Sequence, residues 1–465
     1  MYIVHIATEI APYAKVGGLA DVVYGLAQAT KKLGATVEVI VPKYDALFPK
    51  ATLEMADLTS YEGPYPQKNT IWKTEVHGLP LYLIEAHSAN QPFNRKTIYG
   101  CPDDIGRFLY FSRTALEYIF KSGKKPDILH LHDWPTAAVA PLVQEMYHHL
   151  GFKPRTVLTI HNFEHQGKCS PATLSKTGLC GESFLTPSKM QDPSDPSALN
   201  LMKGGIVYAD FLTTVSPTYE KEILTPLGGF GLDRVLTQFR HKLKGILNGI
   251  DKNYWPPLAQ PKTLLKQELQ KRLSLQETSA PLVCTISRLA PQKGPLLIHH
   301  AILRTLEKGG QFVLLGTEAH SETEALFRAL QKKLKKNPNV AFQFTYDEPL
   351  ARLVYGGADM ILIPSITEPC GLTQMISQRY GTIPIVRKTG GLADTVTHEK
   401  NGFVFDYPDI SGVNWGLDQA LACFSNEPTK WQKLVQTALT TDFGWDTSAQ
   451  AYFKIYLDLP YPQQT

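Results

Sequence analysis

Five residues, Gly-Gly-Leu-Ala-Asp, occur twice in this chain of 465, at positions 17–21 and 390–394. Each copy follows a short strand-like run, residues 2–8 in the first case and 383–386 in the second. After the first, Leu19, Val22, Val23, Leu26, Ala27 and Leu33 recur at helical spacing. The glycines therefore stand at strand-to-helix junctions. Elsewhere β-branched runs alternate with helical patterns, at 36–41, 127–131, 156–161 and 211–215, then at 282–287, 311–315, 340–345 and 360–363. This alternation predicts an α/β protein built from βαβ units, with polar residues of interest at the carboxyl ends of parallel strands.

A chain of this length exceeds what one hydrophobic core supports, and the pattern breaks at Asn248-Gly-Ile-Asp-Lys-Asn-Tyr-Trp-Pro-Pro257. We expect an amino-terminal domain over 1–250, a second doubly wound domain over 251–445, and a tail over 446–465 whose amphipathic helix packs back on the first. Two stretches, 42–72 and 164–200, read as long loops of the kind that form lids.

With 43% hydrophobic and 19% charged residues the chain has material for packed cores, and a formal charge of +4 is too small to indicate nucleic acid or an anionic membrane as partner. The six cysteines lack CxxC or histidine partners at ligand spacing, which points to free thiols and no metal site. No run reaches membrane-spanning length and no secretory leader is evident, so a cytoplasmic location is expected.

Lys15-Val-Gly-Gly18 ahead of a helix is either a phosphate cradle, in which backbone N–H groups, helix dipole and lysine act together, or a tight turn with a solvated lysine. Its echo at 389–394 favours a device built twice. His132-Asp133 and His161-Asn162 close two predicted strands, where polar ligand groups bind, whereas His130 alone has no assignable role. Arg288 and Lys293 share one loop and suit a leaving phosphate. Glu368, followed by Pro369-Cys370-Gly371-Leu372-Thr373, sets a carboxylate ahead of a helix start. Tyr346 ends a strand and is as compatible with base stacking as with an ordinary core or surface place. A nicotinamide-dependent oxidoreductase is disfavoured, because Gly-x-Gly-x-x-Gly is absent after the first strand.

Taken in order, Lys15-Val-Gly-Gly-Leu-Ala-Asp-Val22, His132-Asp-Trp134, His161-Asn162, Lys203-Gly-Gly-Ile206, Val215-Ser-Pro217, Gly231-Leu-Asp233, Ile246-Leu-Asn-Gly-Ile-Asp251, Ser287-Arg-Leu289, Gln292-Lys-Gly294, Glu368-Pro-Cys-Gly-Leu-Thr-Gln374 and Thr389-Gly-Gly-Leu-Ala-Asp-Thr-Val396 resemble bacterial glycogen synthase and plant starch synthase over nearly the whole chain. The resemblance implies a GT-B fold, two Rossmann-like doubly wound domains facing a deep cleft. It further implies retaining transfer of glucose from ADP-glucose, with UDP-glucose the alternative donor, to the non-reducing end of an α-1,4-glucan such as glycogen, with no metal and no organic cofactor. By matching motif, Glu368, Lys293, Arg288 and His161 would be catalytic. Lys15, Gly18, Asp21, Asn248, Tyr346, Cys370, Gly371, Leu372 and Thr373 would serve the donor, and Asp133 and Asn162 the cleft and acceptor. Within that scheme the first glycine pair carries the phosphate role and the second positions a wall of its own domain.

Two departures stand out. Thr367 occupies the place where the family often has an aromatic residue, and Asn162-Phe-Glu-His-Gln166 replaces the usual Asn-Leu/Ile-Ala-Tyr-Gln. The second leaves acceptor preference less determined than donor chemistry. A retaining transferase acting on sucrose or a small phosphorylated sugar would share the donor loops but not the acceptor side. A catalytically silent glucan-binding protein would have lost Lys15, Arg288, Lys293 or Glu368, all of which are present.

Overall fold

The computed structural model describes residues 1–44, 48, 50–318, 321–345 and 347–460. Among them, residues 1–249 with 445–460 form one compact unit and residues 250–444 the other.

The first unit is built on a sheet of nine strands: β1 (Tyr2–Ile6), β2 (Thr36–Pro42), β3 (Thr52–Glu62), β4 (Tyr65–Val76), β5 (Leu79–Ala86), β6 (Ile128–His132), β7 (Arg155–Ile160), β10 (Phe211–Thr214) and β11 (Leu243–Gly245). Their order is β11-β10-β7-β6-β1-β2-β5-β4-β3, parallel as far as β5 and antiparallel beyond it. The inner strands are apolar runs buried on both faces, as a sheet covered by helices requires. Helix α1 (Gly18–Lys32) turns Ala20, Val22, Val23, Leu26 and Ala27 inward, with Asp21 in its first turn and Lys31 and Lys32 in its last, the arrangement its dipole favours.

The stretch 42–72, expected as a loop, instead supplies β3 and most of β4. Their alternating exposure and polar outer face gave the pair the composition of a loop. Residues 164–200 hold only the two-residue strands β8 (Lys168–Cys169) and β9 (Leu199–Asn200) with single turns, yet they are tightly tied. The Asp192 side chain accepts from Ser194, Asp195, Asn200 and Lys168, and Lys203 Nζ donates to the carbonyls of Pro187 and Gln191.

The helix Trp445–Asp458 belongs to the first unit. Gly25 of α1 makes room for the Trp445 indole, since a Cβ there would lie 2.0 Å from its Nε1, and Tyr456 OH bonds His130 Nδ1 at 2.6 Å.

The second unit has six parallel strands: β12 (Leu282–Leu289), β13 (Gln311–Glu318), β14 (Val340–Gln343), β15 (Met360–Ile363), β16 (Ile383–Arg387) and β17 (Phe403–Phe405), in the order β14-β13-β12-β15-β16-β17. Val283, Phe312, Leu314, Met360, Leu362, Ile385 and Phe403 form the centre of its core. β12 and β15, side by side, deliver Arg288 and the segment leading to Glu368 at neighbouring carboxyl ends.

Candidate functional site

In the second unit the expected residues converge. Lys293 closes a single helical turn, Pro291–Lys293, whose chain reverses at Gly294 with φ of +68°. A Cβ at Gly294 would stand 2.6 Å from the carbonyl oxygen of Pro364, so only glycine lets this loop lie against the segment after β15. The two are then stitched, with Ile366 N–H donating to the Gln292 carbonyl at 2.8 Å. The result is an ion pair between Lys293 Nζ and Glu368 Oε2 at 2.5 Å, with Ser365 Oγ donating to the same oxygen at 2.9 Å. Glu368 is 7% exposed, so this lysine and hydroxyl supply the partners a nearly buried carboxylate needs.

Arg288, by contrast, is exposed and forms no ion pair among the described residues. It lines, with Thr285, Ser287, Lys293, Glu368 and Thr373, a cavity of about 130 Å³. One carboxylate and two cations around a small polar space can hold a sugar ring beside a phosphate and balance charge that builds on that phosphate.

The loop carrying Glu368 is fixed from behind by the second Gly-Gly-Leu-Ala-Asp. Gly391 N–H donates to the carbonyls of Glu368 and Pro369, at 3.2 and 3.1 Å, while Gln374 Nε2 donates to those of Cys370 and Gly371, at 3.0 Å each. A Cβ at Gly390 would be 2.0 Å from the Glu368 oxygen, and one at Gly391 would be 2.2 Å from that of Cys370. Gly371 takes φ of +72°, and Cys370 is buried while Gly371, Leu372 and Thr373 remain partly exposed at the start of the helix Thr373–Arg379. Arg387 adds bonds to the carbonyls of Ser365 and Ile366. Tyr346 lies outside the described residues.

The first copy is used differently. Lys15 Nζ pairs with Asp21 at 2.8 Å, both side chains about a quarter exposed, and a Cβ at Gly17 would meet no atom within 4 Å. Two of the N–H groups expected to face a phosphate are already taken, those of Val16 and Gly17, by Glu9 Oε2 at 2.6 and 3.1 Å. Glu9 is buried, which raises its pKa against the pull of these N–H groups, and its other oxygen accepts from Tyr99 OH at 2.9 Å. The loop is thus held from inside, while Gly18 at the start of α1 is exposed.

Asp133 follows β6 with φ of +58° and ψ of −175°, a conformation that costs a non-glycine residue on the order of 1–3 kcal/mol and concentrates at functional sites. Its Oδ1 accepts from the backbone N–H groups of His161 and Asn162, at 2.7 and 3.3 Å, yet burial pushes its pKa up to about 7. Asp133, His161 and Asn162 are therefore one cluster. His161 Nε2 lies 3.0 Å from His132 Nδ1, and burial pulls its pKa down to about 3. Asn248, after β11, is buried with Oδ1 unpartnered among the described residues. Sequence reasoning passed over Glu9, Ser365 and His5. A carboxylate within the apolar run Ala7-Thr-Glu-Ile-Ala11 was the available signal for the first.

Two α/β units, each built on a wholly or largely parallel sheet and one with a carboxylate, a lysine and an arginine gathered at strand ends, are those of a glycosyltransferase of the GT-B class. Residues 2–238 match the starch synthase catalytic domain and residues 266–435 the glycosyl transferases of group 1. The chain is 45% identical to a glycogen synthase of Protochlamydia amoebophila (strain UWE25), over 98% of this chain and 99% of the relative. It is 44% identical to a probable chloroplastic/amyloplastic starch synthase 4 of Arabidopsis thaliana, over 98% of this chain and 47% of that longer protein. The catalytic domain of starch synthase IV from Arabidopsis thaliana, solved with ADP and acarbose, superposes with a TM-score of 0.94 at 43% identity, covering 98% of each chain. A sucrose-phosphate synthase from Thermosynechococcus elongatus, at 18% identity and TM-score 0.66, shares the fold. The chain belongs to the glycogen and starch synthase family. No helix among the described residues is long and apolar enough to cross a membrane.

Proposed function

We propose that this enzyme transfers glucose from ADP-glucose to the non-reducing end of an α-1,4-glucan, with retention of configuration. The observation that carries the reading is the Lys293–Glu368 pair at 2.5 Å beside Arg288 and the cavity these residues line. Glu368 and the Cys370–Thr373 backbone hold the glucose, while Arg288 and Lys293 stabilise the negative charge that grows on the departing diphosphate. On this reading the leaving diphosphate takes the proton of the incoming 4-hydroxyl on the same face of the sugar, and no separate general base is needed. When the donor arrives, Lys293 exchanges part of its contact with Glu368 for phosphate oxygens.

Lys15 and Gly18 meet the donor phosphates, with Asp21 and Asn248 supporting them. Asp133, His161 and Asn162 serve sugar hydroxyls, and Tyr346 stacks on the base. ADP is the nucleotide of the solved Arabidopsis relative, which favours adenine over uracil here. No metal, nucleic acid or membrane takes part, and the reaction belongs in the cytoplasm.

The test is incorporation of labelled glucose into glycogen from ADP-glucose and UDP-glucose in parallel, with Lys15→Ala beside the unmodified enzyme. ADP-glucose should be used in preference, and Lys15→Ala should raise its KM about tenfold or more, the loss of one charge-assisted phosphate contact. Transfer to sucrose or a small phosphorylated sugar but not to glycogen would refute the acceptor assignment.

A further inference from the structure

Three imidazoles run inward from His161 in one unbranched line. His161 Nε2 lies 3.0 Å from His132 Nδ1, and His132 Nε2 lies 3.0 Å from His5 Nδ1. His132 and His5 are fully buried, and the line ends at His5 Nε2, a buried nitrogen with no hydrogen-bond partner among the described residues. At the other end His161 is partly exposed, and its Nδ1 makes no hydrogen bond among the described residues. Burial holds all three rings neutral. It pulls the pKa of His5 and of His161 down to about 3 and that of His132 well below the ordinary histidine value.

A fourth ring, His130, stacks on His5 and His132 with centroids 4.9 and 4.6 Å away, and His5, His130 and His132 are close enough together to suggest a metal centre. All of their nitrogens except His5 Nε2 are otherwise engaged. His130 bonds Tyr456 OH and Thr159 Oγ1, both at 2.6 Å, and His132 spends both of its nitrogens on the neighbouring rings. The cluster is a hydrogen-bonded line rather than a ligand set.

A neutral imidazole carries one N–H and one bare nitrogen, so each of the two contacts must pair an N–H with a bare nitrogen. Only two arrangements satisfy both contacts: every proton on Nδ1, or every proton on Nε2. In the second, His5 Nε2–H is a buried donor with nothing to donate to. In the first, the same atom is a bare acceptor. Among buried backbone groups an orphaned N–H is rarer than an under-satisfied acceptor, and the same asymmetry between donor and acceptor favours the first arrangement. We propose that His132 and His5 are positioning residues that fix His161 in the Nδ1–H tautomer, so that its accessible nitrogen is a hydrogen-bond donor to an oxygen of the sugar nucleotide. The identity of that oxygen's bearer rests on the glucosyl-transfer reading; the tautomer does not.

The tautomers can be read directly from two-bond 1H–15N correlation spectra of enzyme labelled with 15N-histidine, assigned with His5→Phe, His132→Phe and His161→Phe. Protons on Nδ1 of all three rings are expected, the reverse of the Nε2–H form that free histidine side chains prefer. A proton on Nε2 of His161, or different tautomers along the line, would overturn the proposal. Should a buried variant not fold, His161→Phe, at the partly exposed end, still identifies the ring that decides.

Kinetics give a second reading. In His132→Gln the amide oxygen accepts from His5 and the amide N–H donates to His161, which preserves the register, whereas His132→Phe removes both contacts. The Phe variant should lose at least about tenfold in kcat with donor KM little changed, and the Gln variant should stay within about threefold of the unmodified enzyme. Equal losses in the two variants would refute the positioning role. An unmodified enzyme that shows the three Nδ1–H signals but transfers no glucose would sink the functional reading and leave the tautomer assignment intact.

Discussion

Replacing Gly391 by alanine should damage this enzyme in a way that replacing Gly17 does not, although both stand in the same five-residue segment. Gly391 has no left-handed φ, so an alanine there is opposed only by space. Its Cβ would lie 2.2 Å from the carbonyl oxygen of Cys370 and 2.5 Å from its Cα, while ordinary contact begins at 3.4 Å. Reaching that distance asks the Glu368–Cys370 segment to retreat by about 1.2 Å. The segment has nowhere easy to go, because its carbonyls are bonded to Gly391 N–H and to Gln374. Overpacking of this kind costs about 1–3 kcal/mol, and at roughly 2–4 °C per kcal/mol for a unit of this size Tm should fall by about 2–12 °C. A shift of that length also displaces Glu368 relative to Lys293, and misplacement of a reacting group by about 1 Å costs on the order of a hundredfold in rate. Gly17, extended and with nothing within 4 Å of where a Cβ would stand, should accept alanine within about 0.5 kcal/mol. Differential scanning fluorimetry and initial-rate glucosyl transfer measure both quantities. Gly391→Ala with unchanged Tm and kcat, or Gly17→Ala melting as early as Gly391→Ala, would refute the packing argument.

Three further outcomes follow from the same geometry. Lys293→Ala should lower kcat by about 10²–10³-fold with a much smaller rise in donor KM, as expected for a charge used in the transition state, and steady-state kinetics with an unaltered kcat would rule that use out. Asp133 has a folded-state pKa of about 7 against an ordinary 3.8, so it binds its proton more tightly when folded, and its contribution to stability is complete below about pH 4 and lost as pH rises to 7. Melting profiles from pH 4 to 8 should therefore show the unmodified enzyme losing ground to Asp133→Asn across that window, and parallel profiles would contradict the assignment. Glu9→Ala strands the N–H groups of Val16 and Gly17 and should cost about 2 kcal/mol or more in denaturant unfolding, together with weaker donor binding. Full stability in that variant would mean the loop is held by something else.

The positions of the inner strands along the chain were legible in the sequence because inner parallel strands are buried on both faces and must read as short apolar runs. Residues 127–131 and 360–363 are of this kind, and the structure places strands at Ile128–His132 and Met360–Ile363. The hairpin of β3 and β4 was illegible for the converse reason. With one face in water it carries Glu, Lys, Thr and Gln at 10 of its 23 positions, and a register with two irregularities blurs the alternation that would reveal it. Partners were illegible where the chain separates them widely. Nothing local in Glu368 announces Lys293, 75 residues away, or in Glu9 announces Tyr99, 90 away. Those pairings are decided by which strand ends lie side by side.

The repeated segment marks the limit of motif reading. In both copies the sequence requires glycine ahead of a helix, and a phosphate cradle is one reason for such a requirement. In the second copy the structure supplies another, since the N–H of Gly391 and the space at Gly390 and Gly391 are spent on the backbone of the Glu368 loop and no room remains there for a ligand. In the first, the N–H groups of Val16 and Gly17 turn inward to Glu9, but the space beside Gly17 stays open and a lysine stands next to it. Identical residues thus hold a carboxylate's loop in one unit and are themselves held by a carboxylate in the other. What separates the two roles is whether a Cβ would strike protein, and that quantity exists only once the chain is folded.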